Sequence, residues 1–239
     1  MIIEKHMLSH DESVKLTAYI QEPSEEMKHA KIKPAMLIFP GGGYQFISDR
    51  EGEVVAFQYL KEGYQCFILT YSLNEHAVFP RPLHDAEAAL KLIRDHHEKW
   101  YLDPERVAVI GFSAGAHLAA TLAGMGSIRP NAVILGYTAI LPIENINYQV
   151  PTPHFDDQTP EAFIFHTYQD GFVVVDNALY LAQQYRKLDI PFELHVFRDG
   201  DHGMSLGTEL TQNEWLKPDH HYHHWVALSI EWLHRVLKL

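Results

Sequence analysis

Residues 106–124 read RVAVIGFSAGAHLAATLAG. Arg106 leads into a largely β-branched apolar run, 107–110, of strand length. The last nine are an Ala- and Leu-rich run of helical length, and between them lie two glycines that bracket one serine. A strand that gives way to a helix within a few residues forms a turn too tight for β-carbons at Gly111 and Gly115. Such a turn lifts the Ser113 hydroxyl above the sheet edge and places it at a helix N-terminus. Outward from this segment the same alternation continues. Apolar runs AMLIFP (35–40), CFILTY (66–71), AVILGY (132–137), AFIFHTY (162–168) and FELHVF (192–197) alternate with helical periodicity over 52–62, 83–98, 114–124, 177–187 and 220–237. Near-continuous apolar strands are those covered on both faces. The chain is therefore expected to be α/β, with a mainly parallel central sheet, helices on both faces and right-handed crossovers. VKLTAYI (14–20) alternates instead and predicts an antiparallel edge strand. No repeat or linker breaks the pattern, so residues 1–239 are expected to form one domain. Residues 138–161, with four prolines, are expected to be an irregular excursion bordering the carboxyl ends of the strands, and thus at most a minimal cap.

Composition narrows the function. With 31 acidic against 19 basic side chains the formal net charge is −12. Such a surface lacks the basic face that a nucleic acid or an anionic membrane requires, so neither partner is expected. A hydrophobic fraction of 46% supports a large core and excludes disorder. The single cysteine, Cys66, permits no internal disulfide and sits in an apolar strand as an inert thiol. No apolar leader or membrane-length run is present, which predicts a soluble, cytoplasmic protein. Seventeen histidines would neutralise the net charge on acidification, so a homo-oligomer forming toward the isoelectric point is expected.

Four loops carry chemistry. Ser113 is the candidate nucleophile. Pro40-Gly41-Gly42-Gly43-Tyr44 follows the strand AMLIFP, and glycines there permit close approach of backbone amides to a ligand; in acyl transfer that ligand is the oxyanion of the tetrahedral intermediate. His202, in the glycine-flanked turn Gly200-Asp201-His202-Gly203 after the last central strand, is the candidate base. Histidine is the side chain whose proton affinity suits that task near neutrality. Asp170, just past AFIFHTY, is placed to hold the second ring nitrogen. Asp176 reads instead as the N-cap of the following helix, and Asp199 and Asp201 share the turn of His202. The order Ser113, Asp170, His202 differs from that of chymotrypsin or subtilisin.

Together, FPGGGY, TYSLNEHAVFPRPLHDAEAALKLIR, YLDPERVAVIGFSAGAHLAA, HTYQDGFV and DGDHG resemble the esterase branch of the α/β-hydrolases that includes acetyl-xylan esterase-like and hormone-sensitive-lipase-like proteins, over most of residues 14–237. The resemblance implies hydrolysis of carboxylic esters, often O-acetyl groups on sugars, with no cofactor and no metal, on a small-molecule ester substrate. Matched motif to motif, it implies Ser113 as nucleophile, His202 as base, Asp170 as its partner, and an oxyanion hole from the amides of Gly42, Gly43 and Ala114. Departures are Pro40, Ala116 and Gln169, where relatives often carry His, Gly and Asp, and the lack of a Pro after Val173. The alternatives are a peptidase or dienelactone-type hydrolase on the same fold, or a non-catalytic binding protein.

Other features have plainer readings. Tyr44, beside the glycines, is a candidate substrate-binding residue. His220 and His224 share a helical face but are joined by no carboxylate or cysteine motif, so they read as a solvated helix start that Asp219 caps. Trp225, Leu228, Trp232 and Val236 follow helical spacing toward the core, while Asp85 and Arg94 read as structural.

Overall fold

The computed structural model describes residues 1–9, 13–143 and 150–239. Eight strands form one sheet among them: β1 (Ile2–Met7), β2 (Lys15–Ile20), β3 (Lys33–Phe39), β4 (Gln65–Thr70), β5 (Leu102–Phe112), β6 (Ala132–Gly136), β7 (Ala162–Thr167) and β8 (Phe192–Phe197). The spatial order is β1-β2-β4-β3-β5-β6-β7-β8, antiparallel at β1/β2 and β2/β4 and parallel from β4 to β8. One expectation fails: β2 is not the edge. Ile2–Met7 pairs outside it, with exposed and half-buried residues alternating. That strand mixes Glu4, Lys5 and His6 into its apolar run, so it carries none of the continuous hydrophobicity that marks the inner strands.

Among the described residues five α-helices cover the two faces: α1 (Glu53–Leu60), α2 (Arg81–Asp95), α3 (Ala114–Met125), α4 (Asp176–Lys187) and α5 (Trp225–Val236). Alternate residues of each strand feed opposite cores. Leu37, Val109 and Val133 join Ala89, Leu90 and Leu181 beneath α2, α3 and α4. Ile38, Ile110 and Ile134 join Tyr59, Trp225 and Trp232 beneath α1 and α5. Each fully buried aliphatic side chain contributes on the order of 2 kcal/mol, so a one-residue slip of an inner strand would exchange its two buried faces. Trp225 and Trp232 are buried, as the helical spacing requires, with Leu228 and Val236 packed half-buried beside them. Cys66 is a buried free thiol. Arg94 donates to Pro104 O, Arg129 O and Asn131 Oδ1, and Asp85 accepts the Ser72 amide, so both are structural. Asp176 corrects another expectation. It is the first helical residue, Val175 occupies the N-cap position, and no side chain caps the helix. Among the described residues no helix is long and apolar enough to cross a membrane.

Candidate active site

The parallel strands all end on one edge of the sheet, and three of the predicted groups arise from loops there. Ser113 sits between β5 and α3 with φ +53° and ψ −117°, a left-handed conformation for a residue with a β-carbon. Such strain costs about 1–3 kcal/mol and persists only where the surroundings over-determine it. Here the Ser113 amide donates to Gly136 O at 3.0 Å, and the Ser113 carbonyl accepts the His117 amide at 3.0 Å. The flanking glycines permit close approach. A β-carbon on Gly111 would lie 2.2 Å from Gly115 O, and one on Gly115 would lie 2.1 Å from Phe39 O.

From this perch Ser113 Oγ lies 2.8 Å from His202 Nε2, and His202 Nδ1 lies 2.7 Å from Asp170 Oδ2. The carboxylate can only accept, so Nδ1 carries the proton and Nε2 turns its lone pair to the serine. Asp170 is 3% exposed. Burial alone would raise its pKa. Hydrogen bonds from His166 and His202, the His202 charge and the Val173 amide outweigh that and hold the carboxyl below the usual range. Its Oδ1 accepts the Phe172 and Val173 amides at 3.0 and 2.8 Å. Asp201, the sequence neighbour, is engaged elsewhere: its Oδ1 takes the backbone amide of His202 at 2.8 Å. The rings of Tyr137 and Phe172 flank the imidazole, each with its centroid 5.3 Å away.

Gly42, Gly43 and Ala114 border the same cavity of about 500 Å³ as Ser113 and His202. Gly42 and Gly43 have φ +128° and +62°, and a β-carbon on Gly42 would fall 2.0 Å from Phe46 O. Among the described residues the amides of Gly42, Gly43 and Ala114 donate to no protein acceptor. Other walls come from Phe46, Arg50, Ile143, Phe172, Asn213 and Trp215. Trp215 is 81% exposed and sits on a turn in which Asn213 Oδ1 accepts the Trp215 and Leu216 amides. The excursion contributes Ala139 and Ile143 to the wall and is tied down by Asn177 Oδ1, which accepts the Ile140 and Leu141 amides.

Tyr44 departs from its expected role. It is 5% exposed, lies off the described cavity wall, and gives its hydroxyl proton to His117 Nδ1 at 2.8 Å. His117 Nε2 donates in turn to Pro151 O at 2.7 Å, which fixes the ring's tautomer. Burial pushes the His117 pKa down to about 4. The glycine loop, α3 and the excursion are thus joined through one neutral imidazole.

Sequence reasoning also missed Arg50 and Glu51. The Glu51 carboxyl, 3% exposed, accepts the Gly41 amide at 2.7 Å and the Tyr137 hydroxyl. Burial pushes its pKa up against these hydrogen bonds and the His202 and Arg50 charges. Arg50 donates to Thr211 O and Gly203 O, each at 2.7 Å. The histidine-rich segment is engaged locally. His223 donates to Leu206 O, His224 donates to His221 O, and Asp219 Oδ1 accepts the His221 and Tyr222 amides that begin the last helical stretch. Among the described residues no group of three His, Cys, Asp or Glu side chains is placed to hold a metal.

Comparison with known proteins adds relatives to this geometry. The model of the dienelactone hydrolase family matches residues 76–214, more than half of the chain, and a model described as BD-FAE matches residues 20–131. The crystal structure of MGS-M1, an α/β-hydrolase enzyme from a Medee basin deep-sea metagenome library, is 49% identical. It superposes with a TM-score of 0.96 over 100% of this chain and 99% of its own. Endo-1,4-β-xylanase B of Butyrivibrio fibrisolvens is 29% identical over 217 residues, covering 77% of this chain and 34% of its own. An acetylxylan esterase of Xylanibacter ruminicola is 28% identical over 211 residues, covering 77% and 44%. The chain thus spans less than half the length of these curated relatives.

Proposed function

Because the chain belongs to the α/β-hydrolases, through the dienelactone hydrolase family, we propose that it is a serine carboxylesterase that cleaves short-chain acyl esters, with O-acetyl groups on sugars as its substrate class. The observation that carries the reading is the unbroken Ser113 Oγ, His202 Nε2, His202 Nδ1, Asp170 Oδ2 relay at 2.8 and 2.7 Å beside three amides that donate to no acceptor among the described residues. As Ser113 Oγ attacks the ester carbonyl, His202 Nε2 takes its proton, and Asp170 stabilises the imidazolium. Charge moves onto the carbonyl oxygen, where the amides of Gly42, Gly43 and Ala114 receive it. Each such donor is worth on the order of 3 kcal/mol. Collapse expels the alcohol with the proton from Nε2, and water repeats the sequence on the acyl-enzyme.

A cavity of about 500 Å³ is of the size that takes a small organic ligand, with room for a short acyl group together with a sugar alcohol. The exposed indole of Trp215 offers a flat face at its mouth, with Asn213, Gln45 and Ser48 as polar neighbours on the wall. That combination suits a ring with one apolar face and a hydroxyl rim, and the acetylxylan esterase relative supports it. A dienelactone-type substrate brings a carboxylate. Apart from His202, the cation on the described cavity wall is Arg50, whose guanidinium is engaged by two backbone carbonyls. A neutral ester is therefore favoured. The test is labelling with a fluorophosphonate and turnover of an acyl-length series. Label on Ser113 and kcat/KM falling beyond four carbons are expected. A folded protein that takes no label, or kcat/KM rising to eight carbons, would overturn the reading.

A further inference from the structure

A carboxyl group buried to 3% exposure sits poorly in a core, where an apolar side chain of similar volume avoids its desolvation. Stability alone does not account for Glu51. Its two oxygens point to two catalytic loops at once. Oε2 accepts the amide of Gly41, the residue before the two glycines that offer unengaged amides. Oε1 accepts the hydroxyl of Tyr137, whose ring packs edge-on against His202 and whose oxygen also accepts the Ser205 amide at 3.2 Å. The preceding residue repeats the pattern through its guanidinium and carbonyl. Arg50 grips Gly203 O and Thr211 O, and Arg50 O accepts the Ser205 hydroxyl. Residues 50 and 51 thus tie the loop after β3 to the loop that carries His202.

Gly41 is itself wedged against both the carboxyl and the nucleophile turn. A β-carbon there would lie 2.8 Å from Glu51 Oε2, 2.9 Å from Phe112 O and 3.2 Å from Ser113 Cβ. The glycine loop therefore rides directly on the turn that holds the nucleophile. Contact limits how close the loop comes, while the directed hydrogen bond from Gly41 to Glu51 sets how the next two peptide planes face the serine. We propose that Glu51 is a positioning residue, holding the Gly42 and Gly43 amides in register with Ser113 while anchoring the His202 loop through Tyr137. This rests on the esterase reading above, since the amides matter only where an oxyanion forms. Its signature is a loss in the transition state with little change in substrate binding.

Two variants separate reach from charge. Glu51→Gln keeps the reach and an acceptor oxygen for Gly41 but removes the charge. Glu51→Asp keeps the carboxyl and draws it back by one methylene, out of range of one partner. With an aryl acetate, Glu51→Gln is expected within tenfold of the wild-type kcat. Glu51→Asp is expected to lose about 10²- to 10³-fold in kcat, the scale of one lost oxyanion donor, with KM within about threefold. Equal impairment of both variants, a near-wild-type Glu51→Asp, or a loss confined to KM would overturn the proposal. If Glu51→Asp fails to fold, Tyr137→Phe substitutes for it, with roughly a tenfold loss in kcat at unchanged KM expected; no change would count against the tie. Hydrogen exchange at the Gly41 amide reads the same geometry without turnover. Protection kept in Glu51→Gln and lost in Glu51→Asp, or in Tyr137→Phe relative to wild type, supports the positioning role, and uniform protection refutes it. A wild-type protein that neither turns over nor takes the fluorophosphonate would sink the esterase reading alone.

Discussion

Replacing His117 by Gln should flatten the acid limb of the stability curve. In the unfolded chain this imidazole titrates near its ordinary 6.5, whereas in the fold burial holds it at about 4. Between those values the unfolded state binds a proton that the native state refuses. Stability is therefore lost as pH falls through the window, and is fully present above it. A gap of roughly two and a half decades at about 1.4 kcal/mol per decade amounts to about 3 to 4 kcal/mol, most of it lost by pH 4.5. Other buried groups also titrate. Asp170, held low, adds a loss below the usual carboxylate range. Glu51, pushed high, acts in the opposite sense, its contribution present at low pH and lost as pH rises. Both remain in the variant, so the difference between the two proteins isolates His117. The assay is urea unfolding at several pH values from 7.5 to 4.5, with equal slopes in denaturant as the check on two-state comparison. The variant sacrifices the Tyr44 and Pro151 hydrogen bonds and will be less stable at pH 7.5, but its stability should fall less steeply. Parallel curves, within about 0.5 kcal/mol across the range, would show that the ring titrates normally in the fold and would refute the account of a neutral clasp.

The remaining predictions test the site and its frame. Asp170→Asn should fold and lose about 10³- to 10⁴-fold in kcat through loss of the orienting acceptor, while Asp176→Asn, which removes only a first-turn charge, should cost about 0.3–1 kcal/mol of stability and no activity; the reverse pattern in kinetics and melting would reassign the carboxylate. Trp215→Ala should raise KM for an acetylated xylo-oligosaccharide by roughly fivefold, about 1 kcal/mol of ring contact, and leave ethyl acetate turnover unchanged. Equal effects on both substrates would deny the indole a part in binding the alcohol. Gly115→Ala should destabilise by more than about 3 kcal/mol or prevent folding, since its β-carbon would meet Phe39 O at 2.1 Å; a soluble variant with native melting would contradict the packing at the turn.

What was legible in the sequence follows the range of the forces involved. The inner strands announce themselves because burial on both faces keeps them predominantly apolar, and Ser113 because the strand-to-helix turn must be written in glycine. Asp170 and His202 could be placed near one another by position, since a parallel sheet delivers every strand end to one edge. β1 was not legible, because a strand covered on one side only need not be apolar, and its pairing with Lys15–Ile20 is satisfied through the backbone. Tyr44 was misplaced for a related reason. Its φ of +60° turns the side chain into the protein toward His117, and nothing in PGGGY records which way that turn goes.

The polar ties behind the site were invisible on the same grounds. Glu51 lies in SDREGE (48–53), where a carboxylate among charged neighbours reads as solvated surface, and its partners Gly41 and Tyr137 are 10 and 86 residues away in sequence. A buried hydrogen-bonded group has no period and no flanking signal. The fold must first be closed before the group can be recognised as enclosed. Hydrophobic patterning thus places the strand ends to within a loop's length, whereas reaction requires the amides, the serine and the imidazole to agree within a fraction of an ångström. That remaining alignment is set by directional contacts among Arg50, Glu51, Tyr44 and His117. Substitutions at these four positions should therefore move kcat more than their distance from the ester would suggest.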